Sequence, residues 1–275
     1  MNYKLKSINN GSFLLDESII HGLVGGNKYR KVKAIIGQAK NLKGITSFGS
    51  PFSSHIVACS YWAKYYGIPF DGIVITDRTI DFNEFPNLRL ALRLGAHLTI
   101  TSHSDAYQSI QALKDKQSDY KWIPGGAHTV EAAKAYEELF LQISRETDVL
   151  LKVTAIILPF GTGTTAYGIW NAIRKLDLNT EVIGISVSRD IRRCYSALSE
   201  LEGITEFPGL NIIDSFAGTY GQRNPDTEEA RQRFFSDTGV LPDPIYNSLS
   251  ACYYYKQKHK KALIINTGGT LNNLI

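Results

Sequence analysis

The chain has 275 residues, 43% hydrophobic and 20% charged, a composition that folds and can bury a substantial core, as one large domain or two smaller ones. Its net charge of +4 is spread without a dense basic run, so nucleic acid is not indicated as a partner. No apolar stretch is long enough to span a bilayer and MNYKLKSINN lacks a signal-peptide core, so no membrane partner is expected; three widely spaced cysteines, Cys59, Cys194 and Cys252, suit a reducing, cytoplasmic setting better than a disulfide framework or zinc site.

The first informative stretch is Gly25-Gly26-Asn27-Lys28-Tyr29-Arg30-Lys31. From Lys28 onward, Val32, Ile35, Ile36, Ala39 and Leu42 recur at helical spacing, which puts Lys28 on the first turn of a helix. Helix N-termini carry partial positive charge and unpaired N–H groups, so a lysine there has its ammonium form disfavoured and its free amine made more available as a nucleophile. The competing reading is a surface helix start whose Lys28, Arg30, Lys31 and Lys33 are solvated charges.

From about residue 45, short β-rich runs alternate with amphipathic segments, the pattern of βα units on a parallel sheet. Strands are expected at Ile45–Gly49, Gly72–Thr76, Ala96–Thr101, Val153–Pro159, Glu181–Val187 and Ala262–Asn266. Helices are expected at Ser53–Tyr66, Asn87–Leu94, Asp105–Lys116, Thr129–Arg145, Tyr167–Lys175, Asp190–Leu201, Thr227–Thr238 and from Asp243 to about Lys258. The run Val153–Pro159 is apolar throughout, as in a strand covered on both faces. Residues 216–221 read as a glycine-rich turn.

The loop Gly161-Thr162-Gly163-Thr164-Thr165 follows that strand and opens a helix. Two glycines allow a sharp turn, and backbone N–H groups and threonine hydroxyls converge on one point, which makes an anion site and most plainly a phosphate site. A P-loop needs a Lys-Ser/Thr pair, and a dinucleotide fingerprint a third glycine and a placed acid; neither is present. A plain βα turn with threonine caps is the competing reading. A lysine at a helix start and a phosphate cup without base or sugar recognition are both used by a phosphorylated aldehyde held on the lysine, and pyridoxal 5'-phosphate is the candidate.

At this point the chain resembles the pyridoxal-phosphate enzymes of the tryptophan-synthase-β fold type, and within them the group containing D-cysteine desulfhydrase and 1-aminocyclopropane-1-carboxylate deaminase. The resemblance rests on seven segments in the same order: Gly25–Lys31, Ser47–His55, Ile123–Gly126, Gly161–Thr165, Ala217–Gly221, Asp243–Tyr246 and Thr267–Gly269. It implies that Lys28 is the Schiff-base lysine, flanked by Asn27. It further implies that Ser53, Ser54 and His55 face the substrate carboxylate and cofactor ring, and that Gly161, Thr162, Gly163, Thr164 and Thr165 hold the phosphate. Tyr220 and Tyr246 become active-site tyrosines, with Asn247 and Thr267 near the cofactor. His55 and Tyr220 also have plain structural readings, as a hydrogen-bonded helix histidine and a partly buried aromatic.

The fold implied is α/β, two three-layer units with largely parallel twisted sheets: residues 43–124 as a smaller unit inserted into a larger one of 1–42 and 125–275. A homodimer and a small amino-acid substrate are implied as well. Two departures bear on the reaction. Ser54 stands where the family has asparagine, and Asn247 stands where the aminocyclopropane carboxylate deaminases have a glutamate facing the pyridine nitrogen. The family's Gly-Lys after that position is replaced by Ser248-Leu249. A neutral amide makes a weaker electron sink, which favours β-elimination of a good leaving group over ring opening. The expectation is therefore a desulfhydrase-like lyase giving keto acid and ammonia. The deaminase, an enzyme acting on an O-activated serine, and a fold-retaining binding or regulatory protein are the alternatives.

Overall fold

The structure is a computed structural model that describes residues 3–8, 11–39, 41–215, 220–221, 223, 225–257 and 261–275. Of the expected glycine-rich turn, Phe216, Ala217, Gly218 and Thr219 lie outside the described residues, as does Lys258 at the expected end of its helix.

In chain order the strands and helices are β1 (Leu5–Ile8), β2 (Ser12–Asp16), α1 (Asn27–Gly37), β3 (Ile45–Gly49), α2 (Ser54–Tyr66), β4 (Phe70–Ile75), α3 (Pro86–Arg93), β5 (His97–Thr101), α4 (Ala106–Lys116), β6 (Lys121–Trp122), α5 (Val130–Glu146), α6 (Val149–Lys152), β7 (Ala155–Phe160), α7 (Thr164–Lys175), β8 (Glu181–Ser186), α8 (Ile191–Glu202), β9 (Leu210–Ile213), α9 (Pro225–Thr238), α10 (Asn247–Lys256) and β10 (Ala262–Asn266). They build two sheets. The larger has the order β1-β2-β10-β7-β8-β9 and is parallel except for β1, which pairs antiparallel with β2; the smaller, β5-β4-β3-β6, is parallel throughout.

The apolar run of β7 is buried at every residue because both faces of the larger sheet are covered. One face packs on a core that includes Tyr136, Phe140, Tyr167 and Trp170 of α5 and α7; the other packs on Phe234, Leu249 and Tyr254 of α9 and α10. A third core surrounds the smaller sheet. It takes in Val32, Ile35 and Ile36, so the helical stripe that follows Lys28 packs with β3 and α2. α1, expected with the larger unit, is a shared wall that also contacts α5.

Strands β1, β2 and β9 had no sequence signature: β1 is short and half polar, and β2 borrows its partner β10 from about 250 residues away. The observed pairing sets where chemistry can occur. Each sheet has a point where neighbouring strands run on in opposite directions along the chain, between β10 and β7 in the larger and between β3 and β6 in the smaller. In open parallel sheets ligands bind outside the carboxyl ends of strands at such points.

Helices α5 and α7 approach closely at Gly168, where an added Cβ would lie 2.1 Å from the Ala133 carbonyl oxygen and 2.9 Å from the Tyr136 Cβ. Backbone cannot yield as a flexible side-chain tip does, so Gly168→Ala is expected to destabilise the fold by about 1–3 kcal/mol. Urea unfolding of the variant against the parent checks this, and an unchanged midpoint would contradict the packing described.

Candidate active site

The loops leaving those strand ends line a cavity that is partly open to solvent. Three helices begin at its wall: α1 with Asn27 and Lys28, α2 with Ser54, and α7 with Thr164 and Thr165. Each start presents unpaired N–H groups and the positive end of a helix dipole, so the cavity is built for a ligand with more than one anionic group.

Lys28 is placed by glycine. Gly26 has φ 130° and Gly268 has φ 90°, and the two segments cross in an isolated antiparallel bridge. A Cβ on Gly26 would sit 2.5 Å from the Thr267 carbonyl oxygen, and one on Gly268 would sit 2.6 Å from the Gly26 Cα. The Asn27 N–H donates to the Thr267 carbonyl at 2.9 Å, its side-chain amide donates to Thr165 Oγ1 at 3.2 Å, and Lys28 Nζ donates to Asn27 Oδ1 at 3.1 Å. The start of α1 is thereby tied both to the end of β10 and to the start of α7.

Burial lowers the Lys28 ammonium to about 8, partly opposed by the Asp243 carboxylate. Desolvation is thus the leading cause, where the sequence pattern had pointed only to the helix end.

The phosphate cup is the start of α7. Gly163, at φ 85°, is its N-cap and no side chain caps the helix, which leaves its first N–H groups for an anion. Gly126 closes the cup from the other side, since a Cβ there would lie 2.7 Å from Thr162 Cγ2. Sequence reasoning missed Lys31, which lines the same cavity at 1% exposure and donates from Nζ to the Gly126 carbonyl at 2.6 Å. Burial, with the neighbouring Lys28 charge, pushes its ammonium well down. Its three-residue spacing from Lys28 on one helix face was the available signal.

On the opposite wall Ser54 lines the cavity, while Ser53 is the N-cap of α2 and its Oγ accepts from the His55 N–H at 3.2 Å. Tyr246 lines the cavity as well, with Lys28 Nζ 6.0 Å from its ring centre. Its hydroxyl meets that of Tyr220, which accepts from Ser50 Oγ at 3.0 Å. Burial pushes both phenols up, Tyr246 well up, which keeps both protonated at neutral pH.

Two expected site residues lie elsewhere. His55 is 0% exposed and its Nε2 lies 2.7 Å from Ser47 Oγ, which in turn donates to the Ile123 carbonyl at 2.7 Å. It braces the smaller sheet from inside, because the first turn of α2 rotates it into the core, and it does not reach a substrate. Asn247 is absent from the cavity wall. Its Nδ2 donates to Asp243 Oδ2 at 2.5 Å and the Gly268 carbonyl at 2.8 Å, and its Oδ1 accepts from the Thr267 N–H at 2.9 Å and Thr267 Oγ1 at 3.2 Å.

The carboxylate on the wall is Asp243, which sequence reasoning read as opening a helix and beginning a family-like segment, without a role in the site. Its oxygens accept from the N–H groups of Ile245, Tyr246 and Asn247 at 2.9–3.0 Å. Burial still raises its pKa.

A family model described as pyridoxal-phosphate dependent enzyme matches residues 4–267. The chain belongs to this family. Its cofactor is pyridoxal phosphate, and the residues present fit that group: a lysine amine that deprotonates near pH 8, an uncapped helix start with a second buried lysine, and glycines where a Cβ would fill the cradle. The chain is similar to a putative 1-aminocyclopropane-1-carboxylate deaminase of Thermotoga maritima, 24% identical over 272 residues that cover 90% of this chain and 85% of that one. It is also similar to a D-cysteine desulfhydrase of Serratia proteamaculans, 22% identical over 249 residues, with 82% and 74% covered.

Among solved structures, an ACC deaminase homologue aligns at TM-score 0.80 and 19% identity over 99% of this chain and 91% of the other. A threonine deaminase from T.th. aligns at 0.72 and 17% identity, over 98% and 93%. These neighbours establish a tryptophan synthase β-like α/β fold for this pyridoxal-phosphate enzyme.

Two outcomes follow for the family site. Asn247→Ala strips the Thr267 N–H and Gly268 carbonyl of buried partners, and is expected to lower stability by roughly 2–4 kcal/mol and to weaken cofactor binding; urea unfolding and a cofactor titration read both. The Lys28 amine is protonated below and free above its pKa of about 8, so its reaction with pyridoxal is expected to speed up through pH 7–9 and level off beyond. Stopped-flow absorbance across that range, with Lys28→Ala as control, checks the sign and the midpoint.

Proposed function

We propose that this enzyme is a lyase for small amino acids, removing the α-proton and a β-thiol from a cysteine-like substrate, with one water then hydrolysing the eliminated product to keto acid and ammonia. The observation that carries the reading is the convergence of three helix N-termini and a low-pKa lysine on one cavity, which suits a phosphate at α7 and a substrate carboxylate at α2 with Lys28 between them. The names of the relatives, a D-cysteine desulfhydrase and deaminases of 1-aminocyclopropane-1-carboxylate, support the same class.

Bound there, pyridoxal phosphate supplies an aldehyde for amine exchange and an electron sink that acidifies the Cα–H of the attached amino acid. The chain's own groups do the rest. Thr162, Thr164, Thr165, Lys31 and the first N–H groups of α7 hold the phosphate, and Asn27 aligns α1 with α7. Ser54 and the α2 N–H groups orient the substrate carboxylate, with Ser53 fixing that helix start. Lys28, as free amine, takes the α-proton. Tyr246, held by Tyr220, donates a proton to the departing thiolate. Asp243, its oxygens already engaged by N–H groups, adds negative charge beside Lys28. Asn247 and Thr267 brace this wall, and since Asn247 brings no carboxylate to the cavity, elimination of a good leaving group is favoured over ring opening.

The reading extends to two α/β units, 43–124 and the remainder, with α1 shared, and to a cytoplasmic homodimer. Exposed large hydrophobic residues that include Leu23, Tyr65 and Tyr66 support a dimer, and three buried free cysteines support a reducing setting. No helix among the described residues is long and apolar enough to cross a membrane.

A panel of D- and L-cysteine, O-acetylserine and 1-aminocyclopropane-1-carboxylate, assayed for keto acid, ammonia and sulfide, decides the substrate class. Sulfide release from one cysteine enantiomer is expected. Lys28→Ala is expected to lose the borohydride-reducible link to cofactor and to fall by about 10²–10⁴-fold in rate. Turnover confined to the cyclopropane would move the reading to the deaminase. Cofactor binding without turnover across the panel would move it to a binding protein.

A further inference from the structure

Next to the phosphate cup lies a histidine that neither the family motifs nor the reaction uses. His128 follows the Gly125–Ala127 turn and places Nδ1 2.8 Å from Thr164 Oγ1, which is 3.2 Å from Thr162 Oγ1 and lines the cavity. The side chain is 15% exposed, and its Nε2 is fully buried without a hydrogen-bond partner, 3.8 Å from Glu200 Oε2. We infer that His128 is a positioning residue of the phosphate subsite: it takes up a proton as a phosphate dianion binds and turns the Thr164 hydroxyl onto that dianion. This rests on the pyridoxal-phosphate reading above.

The proton count requires it. Thr164 Oγ1 carries a single hydrogen. A neutral ring protonated at Nε2 accepts that hydrogen at Nδ1, and the hydroxyl then has none to give to an anion. To donate to a phosphate oxygen, Thr164 must instead accept from Nδ1–H. A bare Nε2 would then be a buried lone pair facing acceptors from α8, the Ala197 carbonyl and the Glu200 carboxylate at 3.8 Å. With both nitrogens protonated, Nδ1–H donates to Thr164 and Nε2–H points toward those oxygens.

The charged groups facing the ring are Lys31 from α1, Arg189 from the segment before α8, and Glu200 from α8 itself. Burial together with Lys31 and Arg189 lowers the imidazole to about 4, so against those cations alone the ring is neutral at pH 7. A bound dianion reverses the sign of the local field and brings the proton in from solvent. No bond other than one N–H forms, and no group is oxidised or reduced.

The test uses the full chain labelled with ¹⁵N-histidine and pyridoxine 5'-phosphate as probe, which carries the phosphate and ring but no aldehyde for Lys28. The His128 signal is assigned by its loss in His128→Gln. At pH 7 the free protein is expected to show a neutral ring protonated at Nε2, and saturation with the probe to move both nitrogens to the imidazolium position. The probe's Kd is expected to weaken several-fold from pH 7 to pH 8, and less steeply in His128→Gln, whose amide can donate to Thr164 but does not titrate. Tight binding with His128 still neutral overturns the inference and leaves the cofactor reading intact. Absence of probe binding overturns both.

Discussion

The structure depends on one close approach, the crossing of Gly25-Gly26 over Thr267-Gly268 at the carboxyl ends of the larger sheet. The glycines meet backbone to backbone at separations where no Cβ fits, and both occupy conformations that side chains other than glycine's disfavour. From that crossing the chain can do only a few things: Asn27 bonds to the Thr267 carbonyl, α1 starts, and Lys28 emerges on its first turn. Asn247 holds the other side of the crossing by bonding Thr267 and Gly268 together. The position of the reactive amine is thus set by backbone packing, with side chains serving as splints.

Electrostatics gives the site its purpose. Two lysines are desolvated three residues apart on one helix face, where three helix dipoles also point their positive ends. Buried like charges are unfavourable unless an anion answers them, and among the described residues Asp243 is the one carboxylate on the cavity wall. A phosphate and a carboxylate are the natural complement. Binding of such a ligand therefore both fills the site and stabilises the fold, since whatever binds the native state preferentially raises its stability. Desolvation, against the pull of the Asp243 carboxylate, keeps the Lys28 amine reactive near neutrality.

The departures from the family pattern acquire different meanings in three dimensions. Ser54 does face the cavity, where a hydroxyl replaces a longer amide, so that change alters the cavity wall itself. Asn247 is a splint whose four hydrogen bonds are all internal, so its bearing on chemistry is to hold the wall and to leave it without a second carboxylate. The tyrosine pair shows the opposite pattern. Tyr220 reaches Ser50 of the smaller sheet's loop and Tyr246 of the larger unit, so a buried phenol bridges the two halves of the molecule.

The strong periodic segments and the glycine signatures were legible in the chain itself. The runs 45–49 and 262–266 are strands with the bounds read from the residues, and the helix at Lys28 starts where its apolar stripe put it but ends at Gly37, before Ala39 and Leu42, because burial periodicity and glycine conformation are local properties. The loop Gly161–Thr165 could be recognised as an anion cup for the same reason. Lys31, Asp243, His55 and His128 could not be sorted that way. Whether a polar side chain faces ligand, core or neighbour depends on which loops the two sheets bring together, and those partners can lie tens of residues away: Gly126 for Lys31, Ile123 for the Ser47 that holds His55, Thr164 for His128. By itself the sequence determined the strongly periodic elements and the kind of cofactor. The tertiary structure alone decided the strands without such a pattern and which polar residues line the cavity, because desolvation and hydrogen-bond partners are set by the packing of distant segments.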